Sequence, residues 1–233
     1  MKRDRHGKGK ILATDEIQLL FSEGLAGHRD RCLFAVALFS AARINEVCTL
    51  LTEDVFDRQA SVRSHLTIRK GNTKGKLTTR TIPIISDLRS ILKTYQPLSG
   101  SPYLFPGRYG YGHMTSDSAA RILRKACARV GIEGASTHSF RRTALTLMSD
   151  TNIPLKVIAE VSGHRNLGQL QAYLEVRPSQ VLGAVSSLSI LSPIGEGGKV
   201  ILDDLAEDRP NRLLDPKLLP NGESIKRRVD ERI

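Results

Sequence analysis

Two arginines, a lysine, two histidines and a tyrosine, placed between positions 43 and 173, carry side chains that suit phosphate chemistry. Arg43 stands in AARINEVCTL and Arg141 in THSFRR. A guanidinium is planar, permanently charged and presents a fork of donors, so a pair of them matches the two non-bridging oxygens of a phosphodiester. His138 precedes Arg141 by three residues, one turn away on a helix, and His164 follows in SGHRN. Histidines move or share protons near neutral pH. Tyr173 comes nine residues after His164. Its hydroxyl is a poor nucleophile at a free pKa of about 10, but cationic neighbours stabilise the phenolate. Lys74 adds a further cation in the basic stretch RKGNTKGKLTTRTIPI, with Lys76 as its rival.

Taken singly, each of these residues has an ordinary role. Arg43 could cap a helix or pair with Glu46, and His138 with Arg141 could mark a solvated helix start. His164 could simply end a helix, Tyr173 could pack between Leu170 and Leu174, and either lysine could sit at a hairpin tip. Order and spacing tie them together, above all the step from His164 to Tyr173.

The elements that must position them form a mostly helical chain with one strand pair. Residues 1–11 are basic and glycine-containing and read as a loose arm. Thr14 reads as the N-cap of a helix to Glu23. A second helix is expected over 29–42, too apolar in CLFAVALF for a surface position, so that Arg43 follows it directly and is fixed from behind by the core. Residues 64–70 and 78–84 alternate as strands around a glycine-rich turn. Helices are expected over 86–95 and 116–130, the latter with Arg121, Arg124, Lys125 and Arg129 on a basic side. Shorter ones follow over 138–150, 154–162 and 167–175, with Gly163 as a stop signal, and a last one from Pro178 to about Leu191. Residues 191–233, with mixed charge and four prolines, read as a flexible tail.

Composition agrees. The 233 residues carry a formal charge of +11. Residues 191–233 hold 8 Lys and Arg against 9 Asp and Glu, so the excess lies in residues 1–190, with 27 against 15. A basic folded part suits a polyanion. Cys32, Cys48 and Cys127 show no paired spacing and lie in apolar helical stretches, as buried thiols of a reducing compartment would. No run of about 18 apolar residues suggests a membrane span, the N-terminus lacks a secretory pattern, and no His and Cys spacing suggests a metal site.

The order Arg43, Lys74, His138-x-x-Arg141, Gly163-His164, Tyr173 resembles the tyrosine recombinases, or phage integrases. ARINEVCTLLTEDV is similar to the family's first arginine box, with Glu46 in its usual place. THSFRRTALTLM is similar to the second, VSGHRNLGQLQAYLEV to the histidine-to-tyrosine box, ILATDEIQLLF to the start of the catalytic domain, and YLFPGRYGYGHMT to its central loop. The resemblance implies an α+β fold with a catalytic domain over 12–190. It implies double-stranded DNA as partner, no cofactor, assembly as a homo-tetramer on DNA, and a cytoplasmic, nucleoid-associated location. It makes Tyr173 the nucleophile of a 3′-phosphotyrosine intermediate, and Arg43 and Arg141 the clamp on the phosphate. Lys74 becomes the acid for the leaving 5′-oxygen, His138 an aid to proton transfer at Tyr173, and His164 a phosphate donor. A type IB topoisomerase and a non-catalytic DNA-binding accessory protein are the alternatives. Three departures stand out. The chain has no room for the family's amino-terminal core-binding domain, Ser162 replaces the usual Leu before Gly-His, and the hairpin is about one residue longer than common versions, which keeps Lys76 in play.

Overall fold

The computed structural model describes residues 9–73, 78–95, 97, 101–151, 153–171, 174 and 178–188. Lys74, Lys76 and Tyr173 lie outside the described residues, as does the expected tail over 191–233.

Helix α1 (Thr14–Leu19) starts one residue earlier than its sequence suggests. Ala13 takes the cap position, and its N–H donates to the Glu16 carboxylate at 3.1 Å. The following π turn, Leu20–Gly24, closes with Leu25 N–H on the Leu20 carbonyl at 2.8 Å. Residues 9–12 lie against the fold. Lys10 pairs with Glu16, Arg142 Nη1 donates to the Gly9 carbonyl at 2.7 Å, and Leu12 N–H reaches Thr143 Oγ1 at 2.9 Å.

Helix α2 (His28–Phe39) runs through the centre of the domain. Every residue from Cys32 to Ala37 is buried, so the helix is apolar on all sides, as a helix enclosed by others must be. It packs against α4 (Ser86–Thr94) and α6 (Thr137–Asp150), and the rings of Phe34 and Phe140 stack at 4.9 Å. The expectation that this helix continues to Ala42 is corrected. It ends at Phe39, because Ser40 Oγ turns back onto the Val36 carbonyl at 2.5 Å and Ala41 adopts a left-handed φ of 48°. A separate short helix, α3 (Ile44–Cys48), then begins.

Strands β1 (His65–Ile68) and β2 (Arg80–Pro83) pair antiparallel, with Leu66 opposite Ile82 and Ile68 opposite Arg80. Alternation buries Leu66 and Ile68 on one strand, and Arg80 and Ile82 on the other. Helix α5 (Ser116–Arg129) is capped by Thr115 Oγ1, which accepts from Ser118 N–H at 3.1 Å. Its apolar side is buried, and Arg121, Arg124, Lys125 and Arg129 are exposed. Helices α7 (Leu155–Ser162), α8 (Leu167–Gln171) and α9 (Pro178–Ser186) complete the order. A small apolar cluster of Ala41, Ala144, Leu145, Ile158 and Leu170 joins the α2–α3 turn to α6, α7 and α8. All three cysteines are free and buried, and burial pushes the Cys48 thiol up to about 12. Among the described residues, no helix is long and apolar enough to cross a membrane.

Candidate active site

Arg43 occupies the N-cap of α3 with extended backbone angles. Its N–H donates to Glu46 Oε2 at 3.0 Å, and its Nη1 to Glu46 Oε1 at 3.2 Å. The side chain remains 33% exposed while that of Glu46 is 1% exposed, so the carboxylate anchors the arginine from below and leaves it open to a ligand. A second arginine holds Glu46 from the sheet side, with Arg80 Nη2 on Oε2 at 2.8 Å. Burial alone would raise the Glu46 carboxyl pKa. The Arg80 charge, the Arg43 N–H and the Arg43 charge outweigh it and leave the group below its ordinary range.

Arg141, on α6, is 4% exposed. Its Nη1 donates to the Ala41 carbonyl at 2.5 Å and to the Ser162 carbonyl at 2.9 Å. Arg80 Nη1 shares the Ser162 carbonyl at 2.7 Å. The last residue of α7 therefore ties together the strand pair, α6 and, through Ala41, the turn before Arg43. Gly163 follows with φ 70°, and a Cβ there would lie 2.8 Å from Arg80 Cζ. Only glycine gives both the left-handed turn and the approach of this guanidinium.

His164 N–H and Gly163 N–H both end on the Ala159 carbonyl, at 3.1 and 2.7 Å, which aims the imidazole back into the cluster. Arg141 Nη2 lies 3.3 Å from His164 Nδ1 and 3.1 Å from Nε2. An in-plane approach at such similar distances would collide with the ring carbon between the two nitrogens. The guanidinium nitrogen therefore sits over the ring face, a cation–π arrangement more than a hydrogen bond. Nδ1 lies 2.8 Å from Ser162 Oγ. Burial first, then the charges of Arg141, Arg43 and Arg80, push the His164 pKa down to about 4, opposed by Glu46.

Of the six residues singled out in the sequence, the structure brings Arg43, Arg141 and His164 into one cluster. His138 is exposed on the first turn of α6, three residues before Arg141. Lys74 and Tyr173 fall outside the described residues. Near the latter, Leu174 N–H bonds to the Gln171 carbonyl at 3.0 Å and the side chain packs on the small apolar cluster. Three contributors were missed by sequence reasoning: Arg80, Ser162 and the Ala41 carbonyl. Arg80 left a signal, because it alternates with Ile82 and Ile84 on the inward face of a strand, where a charge demands a partner. The Ala41 carbonyl and the Ser162 carbonyl are backbone atoms, which residue types do not reveal, and the Ser162 hydroxyl meets His164 only once the chain folds back.

A cleft of about 620 Å³ opens between β2 and the end of α7, lined by Thr79, Arg80, Gly163, His164 and Arg165 among others. Arg80 and Arg165 against Glu160 give its lining a positive balance suited to a phosphate. Among the described residues, no group of three His, Cys, Asp or Glu side chains could hold a metal ion.

The model of the phage integrase family matches residues 10–180. A tyrosine recombinase XerA of Pyrococcus furiosus is 30% identical over 168 residues, covering 70% of this chain and 56% of its own length. The chain spans little more than half the length of the curated relatives it matches. The crystal structure of XerA recombinase superposes with a TM-score of 0.62 at 21% identity, covering 80% of this chain and 65% of that one. That of XerH site-specific recombinase bound to difH substrate, a pre-cleavage complex, gives 0.60 at 19% identity, covering 76% and 53%. These likenesses concern the same helical fold with its small antiparallel sheet. With a family model over well above half of its residues, including every element that builds the arginine–histidine cluster, the chain belongs to the phage integrase family.

Proposed function

We propose that residues 12–190 form the catalytic domain of a site-specific tyrosine recombinase, which cuts and rejoins double-stranded DNA through a 3′-phosphotyrosine. The observation that carries this reading is the convergence of Arg43, Arg141 and His164 from three separate segments onto one frame of Glu46, Arg80 and Ser162. A frame that fixes two guanidiniums beside an imidazole is pre-organised for a phosphodiester. The DNA-bound XerH neighbour supports DNA as the partner.

In this mechanism the Tyr173 oxygen attacks phosphorus, and the bond to the 5′-oxygen breaks. Arg43 and Arg141 hold the non-bridging oxygens and neutralise charge in the pentacoordinate state. Lys74, or Lys76 in its place, protonates the leaving 5′-oxygen, which otherwise departs as a strong base. His138 assists removal of the tyrosine proton, and His164 donates to the phosphate. The phosphotyrosine retains the bond energy, so a second 5′-hydroxyl reverses the step without a nucleotide.

The exposed side of α9 supports assembly on DNA. Val181, Leu182 and Val185 are 53, 54 and 60% exposed. We assign this face to a neighbouring copy engaged on DNA, where adjacent sites raise the effective concentration. The test uses nicked duplexes made from the DNA flanking the protein's own gene. A recombinase leaves a detergent-resistant protein–DNA adduct. Tight binding with no adduct would support the accessory-protein reading, and relaxation of plasmids without partner exchange the topoisomerase reading.

A further inference from the structure

Ser162 stands where the family resemblance leads one to expect leucine, and its hydroxyl has two partners. Oγ donates to the Ile158 carbonyl at 2.6 Å and lies 2.8 Å from His164 Nδ1. A serine hydroxyl carries one proton. Since that proton goes to Ile158, the contact with Nδ1 is a hydrogen bond only if Nδ1 carries the proton and Oγ accepts it. Ser162 is fully buried, so no solvent competes for this arrangement. From this geometry we infer that Ser162 is a positioning residue that fixes His164 as the Nδ1–H tautomer.

This assignment deepens the recombinase reading and rests on it only for its consequence. In the Nδ1–H tautomer, Nε2 of the neutral ring carries a lone pair. It cannot donate to a phosphate oxygen until it takes up a proton. Burial of the ring opposes that uptake in the DNA-free site, and so do the charges around it: Arg141 from α6, Arg43 from the cap of α3 and Arg80 from β2, against Glu46 of α3. Glu160 and Arg165 line the same cleft. A bound phosphodiester brings negative charge to this cluster and reverses the balance. One proton from solvent then adds to Nε2, no covalent bond between heavy atoms changes, and the imidazolium keeps Nδ1–H on Ser162 while Nε2–H turns to the phosphate. Ser162 thereby makes His164 a donor that arms itself when the substrate arrives.

The test measures the tautomer directly. The full chain, labelled with nitrogen-15 in its histidines, is observed by long-range proton–nitrogen correlation near neutral pH without DNA, with His164 assigned by its loss in His164→Gln. His164 is expected to be predominantly Nδ1–H in the parent protein and in Ser162→Thr, which keeps the hydroxyl. Ser162→Ala keeps the backbone carbonyl that holds Arg80 and Arg141 but removes the acceptor, and should shift the tautomer ratio towards Nε2–H by about fivefold, as for one net hydrogen bond. A parent spectrum dominated by Nε2–H, or an unchanged ratio in Ser162→Ala, overturns the assignment. Failure of the protein to form adducts with any DNA would instead count against the recombinase reading and leave the tautomer result standing.

Discussion

At the scale of single residues, the site is organised by Glu46, a buried carboxylate shared by Arg43 and Arg80. The two proposed clamp arginines differ in what surrounds them, and their lysine substitutions should differ accordingly. Arg43 is one-third exposed and held by one residue, so Arg43→Lys should fold normally. Arg141 is buried and spreads its donors over two carbonyls, so Arg141→Lys should also lower the melting temperature. Each should slow adduct formation by about 100-fold or more, as for the loss of one oxyanion donor. A near-parental rate in either variant would count against the clamp. The His164 environment also makes stability depend on pH. Its pKa falls from 6.5 to about 4 on folding, so below pH 6.5 the unfolded chain binds a proton that the folded chain does not. The stabilisation is fully present above 6.5 and is lost as pH falls towards 4. Melting temperature should decline over this window, and His164→Gln should flatten the decline. An equal slope in the variant would show that other groups carry it.

At the scale of elements, two backbone positions place the cluster. Ala41 holds φ 48° while its carbonyl meets Arg141, and Gly163 holds φ 70° while Arg80 passes beneath it. Gly163→Ala adds backbone strain of about 1–2 kcal/mol and displaces the Arg80 guanidinium from Glu46 and Ser162. Its unfolding free energy should therefore fall by more than strain alone. By contrast, Ala41→Gly removes strain and should be neutral or stabilising by about 1 kcal/mol. Urea titrations of both variants check the contrast, and a harmless Gly163→Ala would deny the close approach of Arg80. Much of this layer was legible in the sequence. Periodicity located the central helix, the hairpin and α4 to α7, and Gly163 marked the stop of α7. The break at Ala41 was not legible, because Ser40 and the two alanines that follow continue a helical pattern. Besides the Ser40 hydroxyl on Val36, it is the carbonyl's bond to Arg141, 100 residues away in sequence, that holds the left-handed turn. Likewise Ser162 reads as a mild substitution until His164 folds back beside it.

At the scale of the whole molecule, the basic excess of residues 1–190 and the exposed basic side of α5 suit a domain that tracks a DNA backbone, and the apolar side of α9 suits contact with a second copy. Truncation after Arg177 separates these roles. The shortened chain should remain soluble and bind single DNA sites, yet fail to form the paired-site complex in a gel-shift assay. Intact pairing, or collapse into insoluble material, would show that this face serves the protein's own fold. The six proposed catalytic positions could be singled out as types in order, because the chemistry of a phosphodiester narrows the choice of side chains, and the structure brings Arg43, Arg141 and His164 of them together. Their frame was less so, since Arg80 and Ser162 act only through contacts that folding creates. The most direct test of the account is the identity of the residue that becomes joined to DNA. After trapping on a nicked duplex and digestion of the DNA, mass spectrometry of the tryptic peptide from Asn166 to Lys199, uncut at the Arg177–Pro178 bond, should find the nucleotide on Tyr173, and Tyr173→Phe should bind the same DNA without any adduct. An adduct on another residue, or undiminished adduct in Tyr173→Phe, would contradict it.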